Sequence, residues 1–152
     1  MIVYRLSTGK YAADLSGRGA ELVGGRWNSK GVAMLYTGAS RALCTAEIAV
    51  HLPLQIVPQG YRIVSIRLSD DHVQHLVESK LPAGWKAWPY IRATQLIGDE
   101  FIRTARTLAL RVPSAVVPGD YNFVINPLHR EFRKVAVIKT EDFEFDQRLF
   151  KR

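Results

Sequence analysis

The stretch Val32-Ala33-Met34-Leu35-Tyr36-Thr37-Gly38-Ala39-Ser40-Arg41-Ala42-Leu43-Cys44-Thr45-Ala46-Glu47-Ile48-Ala49-Val50-His51-Leu52-Pro53 decides the fold. Val32 to Tyr36 is an apolar run of strand length, which predicts a buried strand. Ser40 then offers a side-chain oxygen to the free N–H groups of a helix start, and Pro53 cannot continue a helix, so a helix is predicted from Ser40 to about Leu52. From Ala42 to Val50 it is almost wholly apolar, which predicts a helix inside the domain. Glu47 breaks that pattern. It shares a line with Leu43 and Val50, and burying it unpaired would be costly or would force a proton onto it. Two readings fit this carboxylate: a structural ion pair or helix-margin residue, and a group kept for chemistry.

Upstream, Tyr4-Arg5 closes a short apolar strand, and Ser7 to Gly31 is rich in glycine and polar residues, as in a long loop. That loop carries Gly24-Gly25-Arg26-Trp27-Asn28. Two glycines permit φ > 0 and close approach to a ligand, and Arg26 adds a bidentate guanidinium, a combination suited to pyrophosphate. A plain turn accounts for the pair equally well, because this is neither a Walker loop nor G-x-G-x-x-G between a strand and a helix. Downstream, Tyr61 to Leu68 reads as a strand with Val64, Ile66 and Leu68 on one face, and Asp70-Asp71 as the cap of a short helix through Val77. A loop with Pro82, Trp85, Trp88 and Pro89, whose tryptophans suit a core or a pocket lid, leads to a helix from about Tyr90 to Arg106. Ile91, Thr94, Ile97, Phe101 and Ala105 there stand near helical spacing. Leu108 to Val112 reads as a strand, Val135 to Ile138 as a central strand, and Phe143 with Phe145 as an edge strand. Pro113, Pro118-Gly119 and Asn126-Pro127 punctuate the loops between. With no repeat or linker, and no regular alternation of strand and helix, residues 1–152 read as a single α+β domain.

The composition agrees. A chain of 152 residues with 47% hydrophobic and 23% charged side chains is one ordinary domain, and it needs no staple, since it buries roughly 68–70% of its unfolded surface. Its one cysteine, Cys44, has no partner for an intramolecular disulfide and reads as a packed thiol of a reducing cytoplasm. No run approaches the ~20 apolar residues of a membrane span, and Met1 to Arg5 lacks a signal-peptide layout, so a cytoplasmic protein with no membrane partner is expected. The net charge of +7 favours an anionic partner: a nucleotide, nucleic acid or an acidic protein. Its densest groups, His129 to Lys134 and Arg148 to Arg152, are adequately explained as solvated surface. Basic residues do not alternate with exposed aromatics, so direct nucleic-acid binding is not expected, although a non-catalytic basic nucleic-acid-binding domain is the competing hypothesis. No metal site is expected either, because only Asp70 and Asp71 could complete a set with His72 and His75.

Arg26, Tyr36 and Glu47 follow one another at intervals of ten and eleven residues. At this point the sequence resembles the RES-domain family. Tyr4-Arg5 is similar to its opening, Gly24-Gly25-Arg26-Trp27-Asn28 to its most recognisable segment, then Tyr36-Thr37 and the helix bearing Glu47. Val112-Pro113-Ser114-Ala115 with Asn122, then Asn126-Pro127-Leu128-His129, resembles its C-terminal signature. Arg130 stands where proline is expected, and Ser69 to Thr107 receives no role by resemblance. The resemblance implies a split, mixed sheet like that of the ADP-ribosyltransferases. It also implies a toxin of a toxin–antitoxin system that cleaves NAD+ between nicotinamide and ribose, by hydrolysis or phosphorolysis, and depletes cellular NAD. Transfer of ADP-ribose to a protein would use the same residues. The implied partner is a helix-turn-helix (Xre-type) antitoxin whose tail blocks the cleft, with a homodimer of the toxin as a further option within that complex.

The chemistry fits these residue types. Nicotinamide leaves NAD+ as a neutral group from a cationic ring, so one carboxylate suffices where ordinary glycoside hydrolysis needs two. NAD+ is then a substrate, and no prosthetic group is required. Glu47 can hold a ribose hydroxyl and stabilise an oxocarbenium-like transition state or orient the acceptor, Tyr36 can stack on the pyridinium, and Arg26 can clamp phosphates or the adjoining ribose. Arg5 suits a second phosphate contact or a structural ion pair. Gly25, Trp27 and Asn28 are placed beside the substrate by the same motif. Ser114 can offer its hydroxyl to the nicotinamide side or the ribose, or bond its own backbone as a turn serine. Asn122 counts among the NAD-side residues by resemblance, while by itself it reads, like Asn126, as a turn former shaping the pocket wall. Arg26, Tyr36 and Glu47 are expected to converge on one pocket.

Overall fold

Apolar runs flanked by turn residues put most of the chain into one sheet, seen in a computed structural model that describes residues 1–151. Its strands are β1 (Ile2–Thr8), β2 (Leu35–Gly38), β3 (Tyr61–Arg67), β4 (Val73–His75), β5 (Ala109–Pro113), β6 (Tyr121–Ile125) and β7 (Ala136–Phe143), in the order β4-β5-β6-β2-β1-β3-β7. β4 and β5 are parallel and the other pairs antiparallel, so the sheet is mixed. Three α-helices accompany it among the described residues: α1 (Arg18–Val23), α2 (Arg41–Ala49) and α3 (Arg92–Thr104). Arg152, the last of the closing basic group, lies outside the described residues.

The sheet is split at its middle. β1 runs in continuous register with β3 from Ile2↔Arg67 to Thr8↔Tyr61, but its pairing with β2 is confined to Tyr4↔Gly38. Helix α2 packs at this seam. The Cys44 thiol donates to the Tyr4 carbonyl at 3.2 Å, and a Cβ on Gly38 would come within 2.8 Å of that sulfur, so the strand needs glycine where the helix crosses it. On the β5–β6 side both faces of the strands are buried: Leu110, Val112 and Val124 pack with Trp27, Met34, Trp85 and Phe101, while Ala109 and Ile125 join Val3, Val64 and Ile66 opposite. Leu6, Ile63, Phe145 and Phe150 close a third cluster under α2.

Several predicted elements are relocated. The helix after Ser40 forms with its cap, the Ser40 hydroxyl accepting from the Leu43 N–H at 3.0 Å, but it ends at Ala49. It is not interior: only Leu43 and Cys44 are fully buried and Val50 is exposed, because its other side borders a cleft. The strand before it begins at Leu35, not Val32. Asp70 to Val77 is no α-helix but a short 3-10 turn followed by β4, whose backbone pairs with β5. Within the Ser7–Gly31 loop, β1 continues to Thr8 and α1 forms. Ala136 to Ile138 belong to β7 at the sheet edge, paired with β3 alone, so Ala136 to Lys139 are exposed, while Val135 precedes the strand and is buried. The segment Tyr121–Ile125, hidden between turn signals, is the inner strand β6.

Helix α3 sits tightly on the Arg26 segment. An alanine methyl at Gly98 would overlap the carbonyl of Trp27, and neither side is a flexible side chain that could yield. Gly98→Ala is therefore expected to destabilise the protein by about 1–3 kcal/mol through overpacking, despite the better helix propensity of alanine. Thermal unfolding should show a melting temperature several degrees lower, and a value equal to or above that of the parent would contradict this packing.

Candidate active site

Glu47 stands on the cleft side of α2, half-buried, with both its recorded hydrogen bonds on one oxygen. Oε1 accepts from the Ser114 hydroxyl at 2.7 Å and from Asn122 Nδ2 at 2.6 Å. Among the described residues it forms no ion pair, so its charge is held by two neutral donors, leaving Oε2 for a ligand. Ser114 follows Pro113 at the end of β5, and Asn122 lies on β6 between its neighbours Gly38 of β2 and Val112 of β5. The Ser114 oxygen also accepts the N–H groups of Val116 at 3.1 Å and Val117 at 2.9 Å. Its donor and lone pairs are thereby used: this buried serine is both the turn former and a positioning group for Glu47, and its hydroxyl is not offered to a ligand.

Tyr36, on β2, performs a similar service for the Arg26 segment. Its hydroxyl donates to Asn28 Oδ1 at 2.8 Å and accepts from the Trp27 N–H at 3.0 Å. Burial holds this phenol well above the usual tyrosine range, which keeps it a neutral donor. A Cβ on Gly25 would stand 2.6 Å from the Tyr36 oxygen, so Gly25 is required by this bond. Gly24, at φ 75°, supplies the left-handed turn before it. Asn28 is wholly buried, its Nδ2 donating to the carbonyls of Ala20, Ser29 and Val32. From α3, Gln95 Nε2 reaches the carbonyls of Gly25 and Asn28, each at 3.1 Å, and Asp99 accepts from the Ser29 backbone N–H at 2.8 Å.

So held, Arg26 projects half-buried into the cleft. Nη1 donates to the carbonyls of Trp85 and Ala87, which leaves Nη2 and Nε as free donors. Burial lowers its basicity somewhat, against the attraction of Glu47 and the pull of Tyr36 and Tyr90, so the group stays cationic at neutral pH.

Arg26, Tyr36 and Glu47 line one cleft of about 800 Å³, together with Gly25 and Asn122. Ligand pockets for small molecules run to roughly 300–1,000 Å³. A hollow of about 200 Å³ continues from it, sharing Tyr36, Glu47 and Asn122 and bordered by Arg5 and Cys44. Arg5 lies partly committed, its Nη1 donating to the carbonyls of Tyr11 and Asp14 at 2.8 Å each. Two sequence-predicted residues are placed otherwise than expected. Trp27 borders the cleft but is almost wholly buried, its indole packing inward against Trp85, and the Asn28 amide is spent on backbone, so both chiefly support the loop that presents Arg26. Of the two tryptophans expected in a core or a pocket lid, Trp85 belongs to the core and Trp88 lines the cleft, beside His51 and Tyr90, neither of which the sequence assigned to the site. Among the described residues no three His, Cys, Asp or Glu side chains gather as a metal site, and no helix is long and apolar enough to cross a membrane.

These features define a class: a single α+β domain with a split mixed sheet and a cleft, built around one carboxylate, at the split. The chain belongs to the RES domain family, which matches residues 2–146. It is 36% identical over 144 residues to a protein of Sphingobium sp. (strain YBL2) named Prs ADP-ribosylating toxin, covering 93% of this chain and 89% of that one. It is 35% identical over 153 residues to Toxin Res of Photorhabdus laumondii, covering 99% and 98% of the two chains. Its fold is similar to that in the crystal structure of the M. tuberculosis MbcT-MbcA toxin-antitoxin complex, with a TM-score of 0.76 at 20% identity over 98% of this chain and 86% of that one.

Two predictions test this geometry. Tyr36→Phe leaves the Trp27 N–H and Asn28 Oδ1 without their partner, a loss of about 1–3 kcal/mol that should lower the urea midpoint; an unchanged midpoint would show that the phenol does not anchor the loop. Burial pushes the Cys44 thiol up to about 11, so a thiol reagent at pH 8 should label the native protein slowly and the unfolded protein at once. Rapid labelling of the folded protein would contradict the packed seam.

Proposed function

We propose that this domain is the toxin of a toxin–antitoxin pair, acts in the cytoplasm, and cleaves NAD+ at the bond between nicotinamide and ribose. The observation that carries the reading is Glu47, held through Oε1 by two neutral donors with Oε2 left over, in one cleft with the free donors of Arg26. A carboxylate fixed in this way needs little reorganisation when positive charge develops on the ribose ring, which is where preorganised electrostatics lower a barrier. The departing nicotinamide needs no protonation, so the lack of a second carboxylate beside Glu47 in the cleft lining is no obstacle.

In this scheme Arg26 binds the pyrophosphate or adjoining ribose with Nη2 and Nε, and the Tyr36 ring flanks the nicotinamide. Arg5 can contribute at the smaller hollow, which it lines together with Glu47 and Asn122. The acceptor is water or phosphate. ADP-ribosylation of a protein is the second reading, favoured by the name of the Sphingobium relative, and it would use the same carboxylate and arginine. The family and the complex with a TM-score of 0.76 support a protein antitoxin as partner, for which we propose a helix-turn-helix protein of the Xre type. A homodimer of the toxin within that complex belongs to the same proposal.

Purified protein incubated with NAD+ and followed by mass spectrometry separates the readings: free ADP-ribose marks hydrolysis, ADP-ribose 1″-phosphate marks phosphorolysis, and a modified polypeptide marks transfer. Glu47→Gln keeps an oxygen for Ser114 and Asn122 and is expected to fold, bind NAD+ and lose turnover by on the order of 100-fold or more. Arg26→Ala should weaken NAD+ binding as well, since a phosphate clamp acts in ground and transition states alike. A stable Glu47→Gln protein with near-normal cleavage would defeat the assignment.

A further inference from the structure

His51, Trp88 and Tyr90 form a cleft wall to which the proposed chemistry at Glu47 assigns no role. Trp88 is 66% exposed, an unusual position for the largest apolar side chain, yet it is braced on two sides. Its ring meets Tyr90 edge-on, at 5.4 Å and 75°, and His51 at 5.0 Å and 52°. An indole held by two aromatic neighbours with most of its surface uncovered is a preorganised platform for another flat ring.

Its place along the cleft decides which ring. The trio lines the large cleft and not the smaller hollow, which is shared by Tyr36, Glu47 and Asn122. Arg26 lines the same cleft as both groups, and its Nη1 bond to the Ala87 carbonyl, at 3.0 Å, ends one residue before Trp88. His51 lies four residues beyond Glu47, just past the end of α2. Glu47 thus lines both the cleft and the smaller hollow, whereas the guanidinium and the aromatic platform beside it line the large cleft alone. A dinucleotide carries the matching groups: a labile riboside, a pyrophosphate and a purine. We infer that Trp88, braced by His51 and Tyr90, is the stacking platform for the adenine base of the substrate, an inference that rests on the proposed NAD+ reading for the identity of the base. Stacking on an exposed indole is tolerant of base type, so this end supplies affinity and holds the substrate's orientation while Glu47 acts at the other end.

The test compares wild type, Trp88→Ala and Trp88→Phe in two measurements. In calorimetric titration with AMP, which carries the base and one phosphate but no scissile nicotinamide bond, Trp88→Ala should bind about 10-fold more weakly or worse, and Trp88→Phe should recover most of the affinity. In steady-state kinetics, Trp88→Ala should raise KM for NAD+ by a similar factor with kcat little changed, and leave any cleavage of nicotinamide mononucleotide, which has no adenine, as in wild type. AMP affinity equal in wild type and Trp88→Ala, no AMP binding by wild type, or equal losses for NAD+ and the mononucleotide would overturn the inference. Failure of wild type to cleave NAD+ would overturn the proposed activity instead, and the AMP titration would still decide the platform. Because Trp88 is largely exposed, these variants should fold, and an unchanged melting temperature checks that they do.

Discussion

The pair of hydrogen bonds on Glu47 Oε1 is the interaction on which the rest of this molecule turns. It ties α2 to the end of β5 through Ser114 and to β6 through Asn122, while the same helix is bonded to β1 through Cys44 and Tyr4. The two halves of the sheet, which share little backbone pairing, are thus linked through a helix and a carboxylate. Hydrogen bonds to a charged group are worth more than those between neutral ones, and they offset the cost of holding an anion in a half-buried place. A cation in the same position would have neutralised Glu47, whereas two neutral donors fix its geometry and leave its charge available.

The second constraint is the loop around Arg26. Tyr36, Asn28, Gln95 and the missing side chains of Gly25 and Gly98 all serve to set one short segment against α3 and the sheet. Most of the polar groups here are spent on the backbone, which is how a glycine-containing turn becomes rigid enough to present a guanidinium in one direction. Arg26 gives Nη1 to the Trp85–Ala87 segment and keeps the rest of its fork. The guanidinium side of the cleft is consequently held in place before any ligand arrives.

Much of this was legible in the residues. Ser40 marked the helix start because a cap hydroxyl followed by an apolar run has few other uses, and Glu47 stood out because an isolated carboxylate in such a run needs a partner. What the residues could not reveal was which partner. Ser114 and Asn122 lie 67 and 75 positions away, and a hydroxyl in a turn looks the same whether it serves its own backbone or also a distant carboxylate. Gly25 and Asn28 were legible as special but assigned to a ligand, when the close approach they allow is that of the Tyr36 hydroxyl. The apolar α2 suggested full burial, because periodicity cannot distinguish a helix packed on all sides from one that borders a cleft. Val137 and Ile138 suggested a central strand for the same reason: residue type reports β-propensity, and only the strand order reports the edge. Trp85 and Trp88 both suited a core or a pocket lid, and only the fold separates them, with Trp85 in the core and Trp88 on the cleft wall.

The most direct measurement of the central claim is a crystal structure of the Glu47→Gln variant with intact NAD+. The account predicts a hydroxyl of the nicotinamide ribose within hydrogen-bond distance of the side chain at position 47, the pyrophosphate or adjoining ribose on Arg26, and Ser114 and Asn122 still bonded to the retained oxygen. A dinucleotide seated with its nicotinamide ribose away from position 47 and Arg26 would contradict it.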